Sequence, residues 1–170
     1  MSRNNGTQPA VFRIAERRDC ALIARFIREL AIYERMEDKV VATDELLEEW
    51  LFDKHSAEVF FAVVDGREVG FALFFTNFST FLGRAGLYLE DLFVQPEYRG
   101  RGIGSAMMSK LASIACERGY GRFEWACLDW NAPSIKFYDS LGAMPLSDWT
   151  VYRITGETLS GLASECGALD

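Results

Sequence analysis

The sequence is poor in metal ligands and in long apolar segments. Among 170 residues there are one histidine, His55, and four widely separated cysteines. The cysteines form no C-x-x-C pair, so we expect no zinc site of the Cys/His kind, no bound metal, and reduced thiols in a cytoplasmic protein. The longest apolar runs, such as Val59–Val64 and Val69–Phe75, are far shorter than the ~18 residues of a membrane span, so no membrane association is expected.

Basic residues are in the minority. There are 18 Lys and Arg against 25 Asp and Glu, which gives a net charge of −7. This balance disfavours nucleic-acid binding and favours cationic partners. The 13 Phe, 4 Trp and 6 Tyr exclude a disordered chain, because they supply ample apolar surface for a core. Residues 1–10 are polar, and we expect a disordered tail there rather than a secretory signal, followed by a single domain over residues 11–170.

Hydrophobic periodicity predicts strands and helices in the order β-α-α-β-β-β-α-β-α-β. The two apolar runs named above flank Asp65-Gly66, which is typical of a hairpin. Asp19 and Thr43 are predicted N-caps of the first two helices, and Pro133 is predicted to open the last one before the final strand, Val151–Ile154. The order favours an α/β class with a central mixed, mostly antiparallel sheet flanked by helices on both faces. The other predicted elements are strands at Val11–Ile14, Gly86–Val94 and Phe123–Leu128, a helix at about Ser105–Arg118, and a short tail helix.

A glycine-rich loop lies between a predicted strand and a predicted helix. It reads Arg99-Gly100-Arg101-Gly102-Ile103-Gly104-Ser105. Alternate glycines let the backbone turn sharply and present N–H groups at a helix N-terminus, which suits a pyrophosphate; a turn that only needs positive φ is the alternative. The loop is not a Walker loop, because no lysine ends it. It is not a dinucleotide fingerprint either, because Ser105 occupies the place of the third glycine.

The motif R-x-x-G-x-G, Arg99 through Gly104, resembles the acyl-CoA signature of the GNAT N-acetyltransferases, and the predicted element order is similar to their fold. The resemblance sharpens to the spermidine/spermine (diamine) and thialysine N-acetyltransferases and runs from about Val11 to Ile154. The Asp65-Gly66 hairpin is shorter than in animal members. The similar stretches are Glu29–Glu34, Tyr88–Val94, Tyr98–Ser105 and Trp130–Tyr138. The glycine motif identifies only the superfamily, whereas Tyr88–Val94 and Trp130–Tyr138 are more specific.

The resemblance implies an enzyme that transfers an acetyl group from acetyl-CoA to a primary amine of a small cationic acceptor, by direct attack in a ternary complex. It implies that Glu90 takes the amine's proton and that Tyr138 protonates the departing thiolate, and it implies a homodimer. A phenol suits the second task because its pKa of about 10 lies close to that of a thiol. The implied substrate-binding residues are Tyr33, Glu34, Glu90, Asp91 and Asp148. The implied cofactor-binding residues are Leu92, Phe93, Val94, Arg99, Gly100, Arg101, Gly102, Ile103, Gly104, Ser105, Asn131, Pro133 and Ser134.

The residues themselves leave alternatives open. Glu90 and Asp91 interrupt an apolar strand, and because neighbouring residues point to opposite faces, both faces are expected to receive a carboxylate. Each carboxylate is costly to bury unless paired, so pairing with an arginine is an alternative to a role in binding. For Tyr138 the alternative is aromatic packing. For the whole protein the alternatives are acetylation of an amino acid or a protein α-amine, or a non-catalytic acyl-CoA sensor, although Glu90 and Tyr138 count against a sensor.

Overall fold

A computed structural model of the chain describes residues 10–166. Its sheet has the strand order β1-β2-β3-β4-β5; the first four strands are antiparallel, and β5 runs parallel to β4. The strands are β1 (Val11–Ile14), β2 (Glu58–Val64), β3 (Arg67–Ser79), β4 (Arg84–Val94) and β5 (Phe123–Trp125). The helices are α1 (Cys20–Glu34), α2 (Asp44–Glu48, continued by a π-helix at Glu49–Asp53), α3 (Ile103–Glu117), α4 (Ala132–Ser140) and α5 (Gly156–Ser164). The predicted α/β class with a mixed, mostly antiparallel sheet is confirmed.

The chain divides into two compact units, the first ending at Leu128 and the second beginning at Asp129. The predicted tail at residues 1–10 lies outside the described residues except for Ala10. Within the part of the chain that the structure describes, no helix is long and apolar enough to cross a bilayer.

Helices cover both faces of the sheet in the first unit. The consecutive residues Phe60 and Phe61 on β2 are both fully buried, which requires cover on both faces because neighbouring side chains of a strand point in opposite directions. Phe61 faces α1, where its ring centroid lies 6.0 Å from that of Phe26. Phe60 faces the other way, towards Phe74, with 6.1 Å between the ring centroids. Helix α3, whose Met107 is fully buried, packs against β4.

Local polar contacts fix the start of α1 differently from the prediction. Asp19 stands at the N-cap position, but its side chain does not cap the helix. Its carboxylate accepts hydrogen bonds from the Glu16 N–H at 2.7 Å and from Arg13 at 2.7 and 3.1 Å, and the Arg13 contact lowers the pKa of Asp19. Arg13 also reaches Glu68 at 2.8 Å, so it ties β1 to β3. The second predicted cap is confirmed, because Thr43 Oγ1 accepts a hydrogen bond from the backbone N–H of Leu46 in α2.

The second unit confirms two predicted helices and corrects the last predicted strand. Helix α4 has proline in its first turn and ends before Gly142, whose φ is 82°. The tail helix is α5. Residues Val151–Ile154 form no strand among the described residues, and Val151 and Tyr152 are 81% and 90% exposed. Alternating apolar residues form a strand only where a neighbouring strand pairs with them, and the described chain supplies none there.

Candidate active site

A bulge in β4 governs the placement of the acidic pair. Leu73 on β3 pairs with Asp91, and the next residue, Phe74, pairs with Leu89, so Glu90 is an extra residue on β4. Such a bulge disrupts the ladder and re-aims side chains, and bulges are common next to active sites. The bulge interrupts the regular alternation of faces on which the expectation for Glu90 and Asp91 depends. Glu90 is exposed, whereas Asp91 is partly buried.

Three carboxylates share one electrostatic environment. Burial raises the pKa of Asp91 to about 7, and the charges of Glu90 and Glu34 raise it further in the same direction. Burial also raises the pKa of Glu34, the last residue of α1. Within the described part of the chain, each cause acting on the pKa of Asp91 and of Glu34 raises it. A bound cation would favour the charged form of each carboxylate, because an opposite charge lowers a carboxyl pKa.

The end of α1 meets the start of the glycine loop. Arg35 adopts a left-handed conformation with φ 60°, and the helix ends there. The guanidinium carbon of Arg99 lies 4.7 Å from the ring centroid of Tyr33 and 5.4 Å from that of Phe93. Arg99 Nε also donates a hydrogen bond to the Val94 carbonyl at 2.8 Å. The structure thus brings Tyr33 from the predicted amine site next to Arg99 from the predicted cofactor loop.

The glycine loop has the backbone of an anion cradle. Gly100 and Gly102 have φ values of 72° and 79°, and a Cβ built on either residue meets no atom within 4 Å. Both glycines therefore serve the turn and face open space, so the two interpretations of the loop are compatible. Gly102 is the N-cap of α3, whose first N–H groups have no partner within the helix and point along the positive end of its dipole. Arg101 contacts the residues just before the loop: it donates to the Glu97 carbonyl at 2.8 Å and lies over the Tyr98 ring.

The edge of β4 beyond β5 fits an extended amide chain. The pairing of β4 with β5 ends at Leu89 and Trp125, whereas β4 continues to Val94. Within residues 10–166 no strand pairs with this stretch on the β5 side, and Leu92, Phe93 and Val94 lie on it. An exposed strand edge binds extended amide groups by main-chain hydrogen bonds, and the cradle that follows in sequence suits a pyrophosphate. Together these features fit acetyl-CoA, which carries both groups.

Gly70 is a residue of this site that the sequence reasoning did not identify. It pairs with Val94, and a Cβ at this position would lie 2.6 Å from the Phe93 carbonyl oxygen. A side chain at Gly70 would therefore displace the end of β4. The available signal was a single glycine inside an apolar strand pattern, which indicates close approach of another backbone.

The predicted residues Ile103, Gly104 and Ser105 begin α3, and five other predicted site residues lie in the second unit. The Asn131 side chain accepts a hydrogen bond from the Ser134 N–H at 3.3 Å, so it caps α4, and Pro133 occupies the first turn of that helix. Tyr138 lies on α4, partly buried, with its ring centroid 5.3 Å from that of Phe137. Asp148 is exposed in the segment after α4. The roles of these residues in cofactor binding, thiolate protonation and substrate binding stay predictions.

Known proteins show similarity over most of the chain. The model of the acetyltransferase (GNAT) family matches residues 23–143. Thialysine N-epsilon-acetyltransferase from Sus scrofa is 38% identical over 167 residues, which cover 91% of this chain and 98% of that protein. Spermidine/spermine N(1)-acetyltransferase-like protein 1 from Homo sapiens is 34% identical over 164 residues, which cover 90% of this chain but 24% of that protein.

Solved structures share the fold. Integron cassette protein VCH_CASS6 from V. cholerae superposes with a TM-score of 0.77 at 29% identity, and the match covers 92% of this chain and 98% of that chain.

Proposed function

The chain belongs to the GNAT acetyltransferase family and is an acetyl-CoA-dependent N-acetyltransferase, and on this premise we propose that its acceptor is a small cationic amine of the diamine, polyamine or thialysine type. The observation that carries the proposal is the carboxylate cluster of Glu34, Glu90 and Asp91, in which burial and like charge raise the pKa of Asp91. A neutral acceptor would leave this negative charge unbalanced, whereas an acceptor with a second ammonium group would balance it. The relatives thialysine N-epsilon-acetyltransferase and spermidine/spermine N(1)-acetyltransferase-like protein 1 are named for cationic amines, which supports the same class.

The amine must lose a proton before it attacks. With a pKa near 10.4, about one alkylamine in 10³ is neutral at pH 7, so removal of the proton costs several kcal/mol. We assign this step to Glu90, because it is exposed at the bulge and therefore accessible to the ammonium group or to a bridging water. Asp91 and Glu34 then hold the remaining positive charge of the acceptor.

The other parts of the reaction fall to the loop, the strand edge and α4. Acetyl-CoA supplies the acetyl thioester. The glycine loop binds its pyrophosphate, and the backbone of Leu92, Phe93 and Val94 binds the extended arm and orients the thioester oxygen. The amine nitrogen bonds to the thioester carbon and the carbon–sulfur bond breaks, while Tyr138 donates its phenolic proton to the departing thiolate. The nitrogen releases its second proton as the amide forms, and this proton returns the Tyr138 phenolate to a phenol through solvent.

A panel of amines tests the proposal. The purified protein is incubated with acetyl-CoA and spermidine, putrescine, thialysine, lysine or butylamine, and free-thiol release and product mass are measured. We expect kcat/KM for 1,4-diaminobutane (putrescine) to exceed that for butylamine by about 10²-fold, because a desolvated charge pair contributes a few kcal/mol.

Two outcomes contradict the proposal. Equal rates for the diamine and butylamine would indicate a different acceptor class. Binding of acetyl-CoA without acetylation of any amine in the panel would favour the sensor. Glu34→Gln is the matched variant, and it should reduce the preference for the diamine more than it reduces the rate with butylamine.

A further inference from the structure

One side chain joins the two halves of the proposed site within the first unit. Arg99 is the first residue of the glycine loop, yet its guanidinium group lies over the ring of Tyr33, near the end of α1. It also lies near the Phe93 ring, and its Nε holds the Val94 carbonyl. These contacts connect the loop, the end of β4 and the end of α1 through a single planar group.

The positive charge of Arg99 does not serve as a counter-ion for the acidic cluster. The charges that act on Asp91 are those of Glu90 and Glu34, and both are negative. The guanidinium group of Arg99 instead lies over an aromatic ring and donates a hydrogen bond to a backbone carbonyl. A guanidinium group suits this arrangement because it is planar, permanently charged and able to stack and donate at the same time, which a lysine ammonium does less well.

We infer that Arg99 is a positioning residue for the amine site, which couples acetyl-CoA binding at the glycine loop to amine binding through the ring of Tyr33. The inference rests on the proposed function, in which Tyr33 lines the amine site. A ligand that fixes the loop also fixes Arg99, and Arg99 in turn holds the ring of Tyr33 at the end of α1. Because coupling between two binding sites is reciprocal, a bound amine should strengthen CoA binding by the same factor by which CoA strengthens amine binding.

Arg99→Gln is the central variant, because glutamine retains an N–H donor for the Val94 carbonyl but removes the charge over the Tyr33 ring. Initial rates are measured with thialysine and acetyl-CoA both varied. We expect the amine KM to rise about two- to fivefold, the factor that a partly exposed cation–π contact supports. The acetyl-CoA KM at saturating thialysine should rise by the same factor, because the coupling is reciprocal, whereas kcat should change less. Arg99→Lys keeps the charge and should give an intermediate amine KM.

Changes at the ring separate positioning from general damage. In the Tyr33→Leu background, which lacks the ring, Arg99→Gln should produce no further rise in the amine KM. In the Tyr33→Phe background, which keeps it, the rise should persist. Arg101→Gln is the matched control on the same loop: its ring contact is with Tyr98, so it should change the acetyl-CoA KM and not the amine KM.

The outcomes decide between the inference and the proposed function. Two results overturn the inference if the wild type still acetylates thialysine. One is an unchanged amine KM in Arg99→Gln, and the other is an equal rise in the amine KM with and without the Tyr33 ring. CoA binding measured by calorimetry, with and without thialysine, should show the coupling in the wild type and lose it in Arg99→Gln. These two calorimetric measurements test the inference even if the double variant does not fold. A wild type that binds CoA but acetylates no amine overturns the proposed function itself.

Discussion

Replacing Asp91 with asparagine should change how the stability of the protein depends on pH. The folded-state pKa of Asp91 is about 7, against 3.8 for an unperturbed aspartate. Below pH 4 the carboxyl is protonated in both states and has no effect. Between pH 4 and 7 the unfolded chain loses this proton while the folded chain keeps it, so the free energy of unfolding falls as the pH rises. Above pH 7 the free energy of unfolding has fallen by the full amount.

The magnitude follows from the difference between the two pKa values. About three pKa units at 1.36 kcal/mol each amount to a loss of up to about 4 kcal/mol, of which about 2.5 kcal/mol falls between pH 5 and pH 8. Asp91→Asn removes the titrating group. The variant should therefore lose about 2.5 kcal/mol less stability than the wild type over this interval, whatever asparagine itself costs at the site.

Urea unfolding followed by tryptophan fluorescence at pH 5 and pH 8 measures this difference. Asp38→Asn is the matched control, because it makes the same change in charge at an exposed carboxylate just after α1. The control should alter stability by the same small amount at both pH values. If the wild type and Asp91→Asn show the same pH dependence, the carboxylate cluster does not disfavour ionisation as argued, and the case for a cationic ligand is weakened.

Three further predictions concern the cofactor, the acid and the assembly. Gly102→Val should lower acetyl-CoA affinity in calorimetry by at least about tenfold, because valine strains a residue whose φ is 79° and fills the open cradle; unchanged affinity in a folded variant removes the loop from the proposal. Tyr138→Phe keeps the ring, so stability and acetyl-CoA affinity should hardly change, while kcat should fall by about 10²- to 10⁴-fold; near-normal turnover would mean that Tyr138 only packs. We also propose a homodimer in which the exposed Val151–Ile154 segment lies near the second copy, and a monomer by light scattering at micromolar concentration would contradict it.

Most of the first unit could be predicted because its signals are local. The Asp65-Gly66 hairpin follows from a two-residue turn between apolar runs, and it is present as β2 and β3, with positive φ at both turn residues. The turn at Gly100 and Gly102 follows from residue type in the same way. In each case the residues that specify the conformation are adjacent in sequence, so no knowledge of distant partners is needed.

The failures depend on partners that are distant in sequence. The bulge at Glu90 is visible only when Leu73 and Phe74 are known to pair with Asp91 and Leu89, because residue type alone does not report a register shift. The strand expected at Val151–Ile154 has the right residue types but no pairing partner in the described chain. Asp19 fails for a nearer reason: its residue type suits a cap, but Arg13, six residues earlier on β1, binds its carboxylate.

The cluster of Glu34, Glu90 and Asp91 connects the energetics of the fold to the proposed chemistry. A partly buried carboxylate whose pKa is near 7 destabilises the folded chain at neutral pH, because burial and like charges both oppose its ionisation. Leucine or valine at position 91 would remove this cost and would suit the rest of β4. A bound ammonium group reverses the sign of the effect, since it lowers the carboxyl pKa. The free energy of unfolding that the empty site loses is then regained when the amine binds. Under the proposed function, the arrangement that weakens the free protein would therefore strengthen the selection of cationic acceptors over neutral ones.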